Sequence, residues 1–503
     1  MLFSELVAVS GAVAATRSRL EKRRLLAGAL RSASADEAEV VATYLSGRVR
    51  QRRTGVGWRG LADLPAPAAA PSLTPLEIDA TLERLSLLAG SGSQGERARE
   101  VTALFARATG AEQDALRGLI TGELRQGALD SLLLDAVAEA AAVPVELVRR
   151  AAMFSAPTGP VAAAALRGGA DALAAFRLEV GRPVRPMLAA SAPDVAAAMD
   201  QSDGEVCVDG KIDGIRIQVH RRGDDVTVFT RSLDDITERL PEVVDVARSL
   251  GPLRLVLDGE AIALDATGRP RPFQDTGSRT MSRDATALRA TVPLTPMFFD
   301  VLHVDGRDLI DEPARVRAAE LSRIVPPEAV APRLVTADAG EAAAFFDRMI
   351  ALGHEGVVIK DLAAPYDAGR RGSACVKVKP RHTLDLVVLA VEWGSGRRSG
   401  LLSNIHLGAR DGDGFSMLGK TFKGMSDEML TWQTARFLEL ATGREGHVVH
   451  VRPEQVVEVA FDGVQRSRRY PGGVALRFAR VLRYRDDKTA AEADTLEAVR
   501  ALA

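Results

Sequence analysis

Only eight of the 65 Lys and Arg residues in this chain are lysines: Lys22, Lys211, Lys360, Lys377, Lys379, Lys420, Lys423 and Lys488. Arginine keeps its proton at any usable pH and cannot serve as a nitrogen nucleophile, whereas a desolvated lysine can. A chain that writes arginine almost everywhere directs attention to the places where it does not. Lys211 lies in Val206-Cys-Val-Asp209-Gly-Lys211-Ile-Asp213-Gly214-Ile-Arg216, a turn between two apolar strands with carboxylates two residues to either side. A lysine that ends a buried strand is partly desolvated and can attack as a neutral amine.

Four further segments carry groups that suit an anionic ligand. Arg231 ends the next strand, where a guanidinium can meet an anion at the sheet edge. Glu260 sits inside the apolar run Leu257-Asp-Gly-Glu260-Ala-Ile and needs a cation, a metal or a hydroxyl partner there. Phe299, in Met297-Phe-Phe299-Asp300, offers a ring that could stack on a base. His354-Glu355-Gly-Val-Val-Ile-Lys360 repeats the pairing of carboxylate and lysine in an apolar strand. The run from Arg370 to Pro380 then alternates, with Lys377 and Lys379 on one face and Val376 and Val378 on the other. Taken singly, each feature is better explained by a satisfied core Glu, a core Phe or a solvated Lys face. Gathered in one domain, they describe an anionic-ligand site with two carboxylates for a metal.

The elements that must position these groups follow from periodicity. At 503 residues the chain is long enough for two to four domains. Residues 1–180 are Ala- and Leu-rich with a helical period, and one helix start is marked by Thr74, Pro75 and Glu77 ahead of Ile78, Leu82 and Leu85. Pro183 and Pro186 forbid a continuing helix, and the period changes to two. Residues 181–382 alternate strands with a few helices. Residues 383–503 read as five short strands, the last a single run over 475–484, with one helix near 426–440, which suggests a small closed barrel of the oligonucleotide-binding (OB) kind. Two cysteines, Cys207 and Cys375, exclude a disulfide framework and a four-cysteine zinc site. No apolar run approaches the roughly 20 residues of a membrane span, and the amphipathic first 20 residues lack a cleavable leader pattern, so we expect no membrane and a cytoplasmic, nucleoid-associated protein. The Arg and Ala bias suggests a high-GC bacterial source.

This ordered set resembles the covalent nucleotidyltransferase superfamily and, within it, the ATP-dependent DNA ligases. Lys211-Ile-Asp-Gly-Ile-Arg216 matches the first motif, with Asp209 where the family usually has Glu. Arg231, Glu260, Phe299, Glu355 and the Lys377/Lys379 pair follow in the family order, with Cys375 at a position that is often Trp. The last motif is similar to Leu476-Arg-Phe-Ala479-Arg-Val-Leu-Arg483-Tyr-Arg485-Asp-Asp-Lys488, with Ala479 where Pro is usual. Gly122-Glu-Leu-Arg125-Gln-Gly127-Ala128 looks like an element of the helical minor-groove-binding domain of the replicative ligases, which implies DNA contact at Arg125 and Gly127.

The resemblance implies an all-α DNA-binding domain, an α+β adenylation domain and an OB-fold barrel that together seal nicks in duplex DNA. Lys211 would take AMP from ATP, pass it to the 5′-phosphate, and the 3′-hydroxyl would close the strand with release of AMP. By carry-over, Asp209 and Glu260 lie near the adenosine and Phe299 stacks on adenine. Arg216, Arg231, Arg371, Lys377 and Lys379 hold phosphates, Arg485 and Lys488 orient the pyrophosphate when the barrel closes, and Glu260 and Glu355 bind Mg²⁺. The implied partner is nicked DNA, bound by a monomer in replication, repair or recombination. A capping guanylyltransferase or an RNA ligase has no reason to carry so large a helical domain. An NAD-dependent ligase needs four zinc-binding cysteines, and a silent scaffold has no use for a nucleophile. The formal charge of −2 hides basic stretches at Gly47–Arg59, Tyr366–Arg381 and Phe461–Lys488, one in each domain.

Overall fold

Helical elements alone run from Phe3 to Ala174 among the described residues. The computed structural model describes residues 1–502 other than 125–129, 203, 282–288, 290 and 370. The helix that starts at Pro75 is capped as its sequence demands: Thr74 Oγ1 accepts from the Glu77 N–H and the Glu77 carboxylate accepts from the Thr74 N–H at 2.9 Å. Ile78, Leu82 and Leu85 on its inner stripe are fully buried in the helical core. Thr74→Ala is expected to cost about 1 kcal/mol, read as a lower unfolding midpoint for the helical signal.

The helical unit continues into the strands through a shared core. Met153, Phe154, Leu178, Val180 and Val184 are buried together with Val256, Leu302 and Tyr366. The Arg185 guanidinium, one residue before Pro186, donates to the Ser155 and Ala156 carbonyls at 3.0 Å. On the outer side, Arg150 and Asp311 form a two-point ion pair at 2.5 Å.

Ten strands follow: β1 (Leu188–Ser191), β2 (Val206–Lys211), β3 (Ile215–Arg222), β4 (Asp225–Thr230), β5 (Arg254–Ala263), β6 (Leu294–Val304), β7 (Arg307–Asp308), β8 (Arg333–Thr336), β9 (Gly356–Asp361) and β10 (Arg371–Val378). They form two five-stranded sheets, ordered β1-β10-β9-β2-β8 and β4-β3-β5-β6-β7. The helix Ala339–Ala351 covers the first sheet through Phe345 and Met349, and the helices Pro241–Ser249 and Ala314–Ile324 cover the second. Lys211 ends β2 in one sheet and Ile215 begins β3 in the other, so the nucleophile candidate stands at the seam.

The C-terminal strands are β11 (His382–Trp393), β12 (Leu402–Asp411), β13 (Gly414–Thr421), β14 (Ala441–Glu445), β15 (Val448–Val451), β16 (Val456–Phe461), β17 (Gly463–Arg466), β18 (Val474–Arg477) and β19 (Arg480–Tyr484). Seven of them make one curved sheet in which the long β11 pairs with β12, β15 and β16. The helix Asp427–Glu439 buries Leu430 and Phe437 against it. The expected five strands need correction to nine among the described residues. The run over 475–484 is two strands, because Phe478 adopts φ 55° and turns the chain, so β18 pairs with β17 and β19 with β16. The β14–β15 hairpin and the short strands β1 and β8 carry too little alternation to be read; every residue of β14 is exposed.

Candidate active site

Three glycines let the backbone close around Lys211. A side chain at Gly214 would collide with the Ala261 carbonyl and the Glu260 side chain, and one at Gly356, which has φ +141°, would collide with the Val378 carbonyl. Gly210 lies against Met349 and Pro332 in the same way. The result brings Lys211 and Glu355 together: the Glu355 N–H donates to the Lys211 carbonyl at 2.9 Å, and Lys211 Nζ lies 2.5 Å from Glu355 Oε2. Lys379 Nζ holds the other Glu355 oxygen and also reaches Asp462 Oδ2 at 3.1 Å. The carboxylates of Glu355 and Asp462 raise Lys379 above the ordinary lysine range against the opposing pull of burial.

A second cluster forms the wall beneath Phe299. Asp209, 2% exposed, accepts from Arg333 Nε at 2.6 Å and Arg333 Nη2 at 3.0 Å, and pairs with Lys360 Nζ at 2.8 Å. Burial alone would raise the Asp209 carboxyl, but Lys360 and Arg333 outweigh it and hold it at about 2. Arg333 Nη2 and Lys360 Nζ both donate to the Phe299 carbonyl, at 2.8 and 3.2 Å, and Lys360 Nζ lies 4.8 Å from the centre of the Phe299 ring. Arg216 stands 5.5 Å from the same ring, clamped on both Asp258 oxygens at 3.0 and 2.6 Å and donating to the Met187 carbonyl at 2.6 Å. Tyr366 OH donates to Asp258 at 2.6 Å and completes that clamp.

Glu260 faces the same space from β5. Burial pushes its carboxyl up to about 7, with Lys211 and Arg216 pulling the other way. Among the described residues no group of three or more His, Cys, Asp or Glu is placed to hold a metal alone. Two carboxylates, Glu260 and Glu355, suit a hard divalent cation that draws its other oxygen ligands from phosphates and water.

The barrel sits on this site. Arg477 Nη1 pairs with Asp213 at 2.6 Å, and Arg480 Nη1 donates to Asp462 at 3.2 Å. Phe478 between them is exposed in the left-handed region, with the Lys423 ammonium 5.5 Å from its ring centre. Lysines, arginines, carboxylates and the Phe299 ring thus meet where two sheets and a barrel converge.

Comparison with known proteins decides the family. Residues 62–138 match the DNA ligase N terminus, 186–379 the ATP dependent DNA ligase domain, and 398–488 the ATP dependent DNA ligase C terminal region. A probable DNA ligase of Beutenbergia cavernae is 63% identical over 512 residues, covering 100% of both chains. The chain belongs to the ATP-dependent DNA ligases. A probable DNA ligase of Kineococcus radiotolerans is 62% identical over 508 residues with 100% of each chain covered, and one of Mycolicibacterium gilvum is 55% identical with 99% of each covered. Among solved structures, Pmar-Lig_PreS3 has the same fold, with a TM-score of 0.64 at 18% identity over 95% of this chain and 99% of that one. The ligase therefore has the three-part architecture expected: helical N-terminal domain, adenylation domain and β-rich OB-like domain. ATP is the nucleotide substrate of this family, and Mg²⁺ is its usual metal.

The structure of the ligase gathers Lys211, Glu260, Glu355, Lys379, Arg216 and Phe299 around one space, and Lys377 lies half-buried one pleat before Lys379. Asp209 is present but fully engaged by Arg333 and Lys360, so it builds the wall rather than presenting a free carboxylate. Arg231 is exposed in the turn after β4, where Asp234 pairs with Arg52 of the helical domain at 2.8 Å. Arg485 and Lys488 are turned to Asp385 on the barrel, at 3.0 and 2.6 Å, and stand apart from the Lys211 cluster in this arrangement. Arg125 and Gly127 lie outside the described residues, as does the side chain of Arg371. Sequence reasoning missed Arg333, Asp258, Tyr366 and Asp462. The signal that could have found Asp258 is its place as a second acid in the apolar run of Glu260; Arg333 sits on a strand too short to read.

Among the described residues no helix is long and apolar enough to cross a membrane.

Proposed function

We propose that Lys211 is the residue this ligase adenylates, and that its domains divide at 1–180, 181–382 and 383–503. The observation that carries this reading is the placement of Lys211 at the seam of two sheets, 2.5 Å from Glu355 and beside Lys379, facing the Phe299 wall. Lys211 attacks the α-phosphate of ATP, and pyrophosphate leaves. The AMP then moves to the 5′-phosphate of a nick, and the 3′-hydroxyl displaces it to seal the strand. Because phosphoryl transfer rests on positioning and charge neutralisation, the remaining residues have simple tasks. Phe299 stacks on adenine over the wall built by Asp209, Arg333 and Lys360. Lys377, Lys379, Arg216, Arg231 and Arg371 hold phosphate oxygens, and Arg485 and Lys488 meet the pyrophosphate only after the barrel turns. Glu260 and Glu355 would hold Mg²⁺, which supplies positive charge at the phosphate oxygens.

The duplex is gripped by basic faces from all three domains, with Arg125 and Gly127 at the minor groove and the basic stretches Gly47–Arg59, Tyr366–Arg381 and Phe461–Lys488 on its phosphates. The enzyme acts as a cytoplasmic, nucleoid-associated monomer in replication, repair or recombination. Since phosphate contacts carry most of the affinity, nick binding should fall by about 10³-fold or more between 50 and 200 mM salt, measured by fluorescence anisotropy on a nicked duplex. The direct test is sealing of a 5′-labelled nick with ATP and Mg²⁺. Conversion to the full-length strand supports the reading; no sealing with ATP, or a preference for GTP, contradicts it.

A further inference from the structure

Among the described residues the barrel carries Asp462 into the site beside two of its own cations, Arg477 and Arg480. Asp462 follows β16, and its N–H donates to the Arg477 carbonyl at 3.0 Å, which fixes it beside the residue that grips Asp213. Its Oδ2 accepts from Lys379 at 3.1 Å and its Oδ1 from Arg480 at 3.2 Å, and its side chain is 18% exposed. A carboxylate on a phosphate-holding lysine competes with the phosphate for the same ammonium and repels it directly.

We propose that Asp462 is a positioning residue that times the barrel: it holds Lys379 in the sealing arrangement and must let go of it when the triphosphate of ATP enters. The proposal rests on the reading that Lys379 holds nucleotide phosphates. A triphosphate brings several negative charges to Lys379, and the barrel carboxylate cannot share the ammonium with them. After pyrophosphate leaves, only the single phosphate of AMP remains near Lys211. Lys379, still on Glu355, then takes Asp462 again while Arg477 takes Asp213. The same barrel orientation keeps Arg485 and Lys488 on Asp385, away from the site, which suits the steps after pyrophosphate has gone. Asp462 thereby favours one barrel orientation for sealing and leaves the other to ATP.

The test separates the two halves of the reaction in full-length enzyme. Asp462→Asn keeps the shape and removes the charge. It should lower the KM for ATP in self-adenylation by about tenfold and slow single-turnover sealing of a nick with a ready-made 5′-adenylate by a similar factor, the scale of one charge at a few ångströms. Asp462→Glu should return both values toward wild type. Opposite movements cannot come from misfolding, which lowers both steps together; unchanged steps, or two that move alike, overturn the proposal. Wild-type enzyme gives a second measurement. A carbodiimide should join Lys379 to Asp462, and saturating tripolyphosphate should suppress that link. A link that persists while tripolyphosphate competes with ATP for labelling overturns the Asp462 proposal alone. Failure of tripolyphosphate to compete removes the phosphate role of Lys379, and the proposal falls with it.

Discussion

Lys211→Arg should reduce transfer of AMP to the chain to below about 10⁻⁴ of wild type, the scale on which loss of a covalent nucleophile acts. The substitution keeps the positive charge, so the contact with Glu355 survives and the seam between the two sheets stays closed. What disappears is a nitrogen able to offer a lone pair, because a guanidinium does not deprotonate at usable pH. Binding to a nicked duplex should stay within about twofold of wild type, since phosphate contacts are spread over three domains. Sealing of a nick that already carries a 5′-adenylate should also persist, because that step no longer needs the lysine as a nucleophile. Retained self-adenylation in Lys211→Arg would assign the chemistry to another residue.

Asp209→Asn should destabilise the adenylation domain by about 3–5 kcal/mol, the cost of leaving buried cations without their counter-charge. Arg333 and Lys360 both depend on this carboxylate, and both hold the Phe299 carbonyl, so the wall of the nucleotide site loosens with the fold. The effect has a pH signature. The folded carboxyl, held at about 2, lies below the range of an unfolded aspartate, so its stabilisation is complete above about pH 4 and is lost as the pH falls toward 2. Wild-type enzyme should therefore lose stability across that window, and Asp209→Asn should lose less of what remains. Denaturant midpoints followed by a signal from the adenylation domain would measure both. A variant as stable as wild type at neutral pH would show that the cluster is not needed for the fold.

Lys211 stood out in the sequence by the scarcity of lysine and its two flanking carboxylates, and the Lys377/Lys379 pair by period-two alternation, which fixes which way each side chain points. The capped helix at Thr74 was legible because its signals lie within four residues of one another. Asp209 was found by its place beside Lys211, but its task was not, because Arg333 lies on a four-residue strand without clear alternation. The break at Phe478 was hidden because nothing in an apolar-basic run announces a left-handed backbone at a non-glycine residue. Contacts such as Arg477 with Asp213 and Lys379 with Asp462 join separate domains, and only the assembled fold can show them.

The central claim is that AMP is carried on Lys211 and handed to DNA. The most direct measurement incubates wild-type enzyme with α-labelled ATP and Mg²⁺, denatures it, and maps the label by peptide mass spectrometry before and after a chase with nicked duplex. AMP is expected on the peptide containing Lys211, lost on the chase as label passes through a DNA adenylate and leaves as free AMP. Label on a different residue, no covalent label, or label that the nick does not discharge would contradict it.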